Sequence, residues 1–149
     1  MEPRMDLALV APDGFAAVVA LETYVRRHVE RDLLELVKLR ASMENGCAFC
    51  VDMHTTDWLG HGEDPRRVVA VAAWHDSPFF SERERTVLAL TDAVTRLGEG
   101  GVTDELWAEA TKELGEDLLA NVLLAIATIN VWNRICVPTH KMPPPLVAS

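Results

Sequence analysis

The sequence predicts an all-α fold, a compact bundle of about six or seven helices. Three observations carry this. Apolar residues return at helical spacing in segment after segment, as in Phe15, Val18, Val19, Leu21, Val25 and Val29. Helix starts are written out in Asp64-Pro65 and in Ser81-Glu82-Arg83-Glu84, and glycine clusters end several segments. No stretch alternates convincingly in the manner of a strand.

In order, Met1 to Pro12 reads as a flexible or edge-packed leader. Phe15–Val29 is the first helix, with Arg26, Arg27, Glu30 and Arg31 on its solvated face and exit. Asp32–Met43 is the second, with Leu33, Leu34, Leu36, Val37 and Leu39 on its apolar side. Asn45-Gly46 is a turn signal. A third helix starts at Cys47 or Ala48 and runs to about Leu59, before Gly60 and Gly62. Asp64 caps a fourth that reaches Trp74, and Ser77-Pro78 breaks it. The Ser81–Glu84 capping box opens a fifth, through Val87, Leu88, Leu90 and Val94 to Leu97. Thr103 opens a sixth that Gly115 closes, and Asp117 starts a last helix to about Arg134 or Ile135. The tail with Pro143-Pro144-Pro145 is expected to be irregular. No linker or repeat divides the chain, so one domain over residues 1–149 is expected.

The totals bound the function. The chain is 49% hydrophobic and 6% aromatic, with a formal net charge of −9. Such an acidic chain has no general attraction to nucleic acid or to an anionic membrane surface, so neither is expected as a partner. Three cysteines, two of them close together, do not make a disulfide framework. They fit a reducing, cytoplasmic setting with a catalytic or sensing pair. No signal peptide is evident, and the longest apolar run, Leu118 to Ile129, is short for a membrane span and reads as a core helix.

The chemistry concentrates in Cys47-Ala48-Phe49-Cys50-Val51-Asp52-Met53-His54. Spacings of three, four and seven return to one helix face, so Cys47, Cys50 and His54 project together. A helix start at Cys47, entered through Gly46, supplies free N–H groups and the positive dipole end, which favour a thiolate. His54 is positioned to accept the Cys50 proton, and Cys47 to trap an oxidised Cys50 as a disulfide. The competing use is half of a zinc site completed by His54 and Glu35, but no second ligand pair at defined spacing is visible.

These residues also carry a family likeness. Glu35-Leu36-Val37-Lys38-Leu39-Arg40-Ala41-Ser42, Asn45-Gly46-Cys47-Ala48-Phe49-Cys50-Val51-Asp52-Met53-His54, Ala72-Ala73-Trp74 and Ser77 to Arg85 resemble the alkylhydroperoxidase D-like (AhpD-like) group of the carboxymuconolactone decarboxylase family. The resemblance is best over about residues 15–97 and looser at Asn130 to Arg134. It implies an AhpD-like helical fold, homo-oligomers (dimer, trimer or hexamer), and reduction of hydroperoxides by the cysteine pair. By that resemblance Cys50 is the peroxidatic thiol, Cys47 resolves it and faces the reductant, and His54 with Glu35 forms a proton relay. Some members carry histidine immediately before the second cysteine, where this chain has Phe49.

The expected function is therefore a thiol-dependent peroxidase. It takes a hydroperoxide as substrate and an external dithiol as reductant, with no metal or organic cofactor. A redox-sensing or disulfide-exchange module without peroxide turnover, and a decarboxylase or lactone-processing enzyme, are the alternatives; the cysteine pair argues against the latter. Cys136 stands alone near the end of the last helix and reads as a buried, inert thiol. On that reading, Cys47→Ser leaves an oxidised Cys50 with no resolving thiol. Asp52 reads as a solvated carboxylate in the helix dipole, His28 as solvated, and His61, His75 and His140 as loop or tail residues. Trp58, Trp74, Trp107 and Trp132 read as core or subunit contacts. Asn130 and Asn133, in an apolar helix, are expected to hold structural hydrogen bonds.

Overall fold

The structure, a computed structural model, describes residues 2–146, and these fold as helices and turns with no strand among them. The α-helices are α1 (Leu7–Val10), α2 (Pro12–His28), α3 (Arg31–Glu44), α4 (Ala48–Gly60), α5 (Pro65–Ala70), α6 (Glu82–Thr95) and α7 (Asp104–Cys136). Short 3₁₀ segments at Val71–Asp76 and Leu97–Glu99 follow α5 and α6.

The local start signals act as their chemistry requires. Asp64 caps α5 by accepting from Arg66 N–H at 2.8 Å. Ser81 and Glu84 form the reciprocal capping box of α6. Thr103 caps α7. Gly115, at φ 74° and ψ 161°, is non-helical and kinks α7 into the two helices read from the sequence. Three readings need correction. The leader, read as flexible or edge-packed, is packed and holds a short helix: α1 forms under an Asp6 cap and lies on α2. Beyond Ala70 the fourth helix tightens to 3₁₀, with Ala73 non-helical at φ −126°, and His75 belongs to that segment rather than to a loop. α6 ends at Thr95, short of Leu97.

α3 is the hub. It packs against α4, α6 and α7, and every residue from Leu33 to Ser42 is buried. A helix buried on all sides should be apolar all round, yet α3 carries Glu35, Lys38 and Arg40. Each is aimed at a different neighbour. Lys38 pairs with Glu22 of α2. Arg40 grips Asp92 of α6 through two bonds of 2.6 and 3.0 Å and also pairs with Glu44. Glu35 reaches α4. Burial pulls Lys38 below the usual lysine range, against the pull of Glu22. Burial raises Glu22, but Lys38 and Arg26 outweigh it, so Glu22 ends below the usual carboxylate range.

α7 closes the bundle with Leu119, Val122, Ala125, Ile126, Ile129, Asn133 and Cys136 on its buried face. By length and composition α7 is apolar enough to cross a membrane; here that apolar stripe is the core face of the bundle. Trp58 and Trp74 are core residues, Trp132 is half-buried with Phe15 edge-on at 5.4 Å, and Trp107 is exposed.

Candidate functional site

The turn between α3 and α4 is set by Gly46 at φ +64°, the left-handed conformation that glycine adopts without steric cost. The turn is tied to α7. The Asn45 amide donates to Asn130 Oδ1 and Asn133 Oδ1 at 3.0 and 2.9 Å, and Asn133 donates to Ser42 Oγ at 3.1 Å. Asn130 and Asn133 thus hold structural hydrogen bonds, as expected. Cys47 N–H donates to Ser42 O at 3.0 Å, which fixes the first cysteine.

Cys47 is the N-cap of α4, and its Sγ accepts from Cys50 N–H at 3.4 Å. Cys50 follows in the first turn and His54 one turn later, both buried. His54 Nδ1 meets Glu35 Oε2 at 3.0 Å. With an ionised Glu35 as acceptor, Nδ1 carries the proton and Nε2 is left as the basic nitrogen. All four sequence-predicted residues therefore gather in one region. Glu35 is itself buried, 2% exposed.

Cys136 was not expected here. Its Sγ comes from the last residue of α7, and the three cysteine sulfurs all lie within 4.8 Å of one another. It is not an isolated core thiol. The available signal was its register: Ile129, Asn133 and Cys136 follow at i, i+4 and i+7 on the buried face. All three thiols are free. Among the described residues this group offers three donors, one fewer than the four of a structural zinc site.

The cluster's electrostatics differ from the sequence expectation in one respect. Thiol hydrogen bonds from Cys136 and then Cys50 converge on Cys47, with help from Cys50 N–H and Asn133, and hold Cys47 well below the ordinary thiol range. Cys50 is pushed up, first by its hydrogen bonding with Cys136 and Cys47 and then by burial. Cys136 is also raised, chiefly through Cys47. The cluster's hydrogen bonding thus favours a thiolate on Cys47 over one on Cys50. Accessibility is likewise reversed. Cys47 and Cys50 are each 1% exposed, but a cavity of the bundle is lined by Cys50 and not by Cys47.

That cavity, of about 240 Å³, is walled by Phe15, Phe49, Met53, Ile129 and Trp132, with Cys50, His54, Cys136, Glu22, Arg26 and Lys141 as its polar groups. Phe49 lies beneath the Lys141 ammonium, 4.6 Å from ring centre to Nζ. A second cavity of about 520 Å³ opens toward Pro3–Leu7 and shares Phe15, Trp132, Cys136 and Lys141 with the first. Asp52, His28, His61 and His75 are exposed; His140 is half-buried, and none of the five lines the 240 Å³ cavity.

Known proteins match this arrangement. The chain is 35% identical to the uncharacterised protein YdfG of Bacillus subtilis (strain 168) over 138 residues, covering 92% of this chain and 94% of the relative. Its fold matches ATU0492 of Agrobacterium tumefaciens, a protein of unknown function for which an AhpD-type antioxidant defence role has been suggested. The TM-score is 0.94 at 36% identity, over 97% of this chain and 100% of the other. The debrominase Bmp8 shares the fold alone, with a TM-score of 0.80 at 19% identity over 90% of this chain and 72% of that one. The family model for carboxymuconolactone decarboxylases matches residues 12–93, which span α2 to α6 and include the whole Cys47–His54 motif. The chain belongs to the carboxymuconolactone decarboxylase family and has its AhpD-like fold.

Proposed function

We propose that the protein is a thiol-dependent hydroperoxide reductase, with Cys50 as the thiol that meets the peroxide. The observation that carries this is one arrangement: Cys50 and His54 face the same 240 Å³ cavity, with Glu35 behind His54 and Cys47 beside Cys50. The Cys50 proton passes to the Cys47 thiolate or to His54 Nε2, and the Cys50 thiolate attacks the peroxide. An S–O bond forms and the O–O bond breaks, giving Cys50 sulfenic acid and an alkoxide or hydroxide that takes up the proton. Cys47 then displaces water from the sulfenic acid to close the Cys47–Cys50 disulfide. An external dithiol returns two electrons. The walls of Phe15, Phe49, Met53, Ile129 and Trp132 suit a small organic hydroperoxide better than a large polar one.

The raised Cys50 thiol supports a second reading, dithiol–disulfide exchange without peroxide turnover, because its thiolate fraction at rest is low. Peroxide consumption with several dithiol donors, run beside a thiol titration, separates the two. Turnover that needs Cys50 supports the first reading. Oxidation by disulfides alone supports the second.

Assembly into homo-oligomers completes the proposal. Leu9 and Val10 of α1 and Val19 and Tyr24 of α2 are exposed apolar side chains, Leu9 to 80%. A sister subunit is the natural cover for such side chains in this family.

A further inference from the structure

We propose that Cys136 is a third redox thiol of this centre, forming with Cys50 the disulfide that an external dithiol reduces. The inference deepens the peroxidase reading and rests on it only for the first oxidation. Three observations converge. The Cys136 sulfur lies within 4.8 Å of both other sulfurs. Cys50 and Cys136 line the same cavity, and Cys136 also lines the larger one beside it. Cys47, the partner expected to face the reductant, lines neither.

The exchange is balanced without any further reactant. The Cys136 thiolate attacks the Cys50 sulfur of the Cys47–Cys50 disulfide. The Cys50–Cys136 bond forms, the Cys47–Cys50 bond breaks, and the electron pair leaves on Cys47. The proton that Cys136 gives up passes into the cluster. The direction follows from leaving-group strength, since the thiol with the lowest pKa departs fastest, and that thiol is Cys47. Cys47 thereby regains its resting thiolate, and the oxidising equivalents move to a bond with both sulfurs on the cavity wall. An external dithiol then attacks that bond, is itself oxidised to a disulfide, and leaves Cys50 and Cys136 as thiols. Cys50 sits in the first turn of α4 and Cys136 at the last residue of α7. Closing the gap to bonding distance calls on helix ends, where the backbone yields most easily.

Diamide, which converts thiols to disulfides without peroxide, separates this proposal from the peroxidase reading. In Cys47→Ser, diamide should produce an intramolecular Cys50–Cys136 disulfide, read by peptide mapping as a loss of two hydrogens. Hydrogen peroxide should produce the same bond. Its formation with diamide but not with peroxide upholds the role of Cys136 and overturns the peroxidase reading. Free thiols or only intermolecular dimers after diamide overturn the role of Cys136, whatever peroxide does. In a chain that keeps Cys47, Cys136→Ala should slow re-reduction of the diamide-oxidised protein by dithiothreitol about tenfold. Re-reduction at the wild-type rate would overturn the proposal as well.

Discussion

Glu35 Oε2 and His54 Nδ1 meet at 3.0 Å, and both side chains are 2% exposed. One comes from the second turn of α3 and the other from the middle of α4, so the pair fixes the imidazole of a helix that otherwise presents thiols. The carboxylate sets the tautomer, and the free Nε2 is the atom available to move a proton. Replacing His54 with Ala should slow Cys50 oxidation by about 10²-fold. Glu35→Gln keeps the shape but no longer selects the tautomer, and should slow it in the same direction. Stopped-flow measurement of peroxide-dependent thiol loss reads both. An unchanged rate in His54→Ala would remove the histidine from the mechanism.

The thiolate assignment predicts a spectroscopic result. Ultraviolet thiolate absorbance near neutral pH should amount to about one thiolate per chain, persist below pH 7, and disappear in Cys47→Ser. A stability effect follows with a definite sign. The Cys47 pKa is lowered on folding, so its contribution is full above the unfolded thiol value of about 8.5 and is lost as pH falls toward the depressed folded value. Urea denaturation should show the advantage of wild type over Cys47→Ser shrinking from pH 8 to pH 4. Cys50 and Cys136 are raised, so their contributions are present below that value and are lost as pH climbs above it.

Sulfenic acid trapping tests the division of labour. With Cys136 beside Cys50, Cys47→Ser alone does not leave Cys50 without a thiol neighbour. A persistent, reagent-labelled Cys50 sulfenic acid is expected in the Cys47→Ser/Cys136→Ser double variant after stoichiometric peroxide. Equal labelling of Cys47 in a Cys50→Ser background would assign the attack to the other thiol.

The buried ion pair between α3 and α6 predicts a large loss of stability. Arg40→Ala leaves Asp92 with only Trp74 Nε1 at 3.1 Å and the exposed His75 at 3.7 Å. It also removes the guanidinium from the carbonyls of Val71 and Ala72. The expected cost is about 3–5 kcal/mol, measured by chemical denaturation. Gly46→Ala should cost far less. A Cβ there meets nothing within 4 Å, so only the left-handed φ is penalised, by about 1–2 kcal/mol.

Sedimentation at micromolar concentration should give a mass that is a multiple of 16.5 kDa. A purely monomeric species would leave the exposed apolar side chains of α1 and α2 without the cover proposed for them.

The parts of this molecule that were legible in the sequence are the parts written locally. Asp64-Pro65 and Ser81–Glu84 mark their helices because a cap and its partner lie within one turn. Cys47, Cys50 and His54 fall on one face because three and four residues are the helix's own spacings. Glu35 was placed only by resemblance, since nothing near it in sequence says that it faces α4. Cys136 was missed because its neighbours are 86 and 89 positions away in the chain. The partners of Lys38 and Arg40 are distant for the same reason: Glu22 and Asp92 meet them only once the helices dock. α1 was missed because four residues are too few for an apolar period.

The thiol cluster draws on opposite ends of the folded segment, with Cys47 and Cys50 at the start of α4 and Cys136 at the end of α7. A bond between Cys50 and Cys136 is therefore a cross-link that encloses most of α4, all of α5 and α6, and nearly all of α7. Tying off a loop of that length removes denatured-chain entropy worth about 4–5 kcal/mol. A Cys47–Cys50 bond encloses only two residues and by the same relation removes less than half as much, about 2 kcal/mol. Where the two electrons are missing from this protein is thus written in its melting temperature.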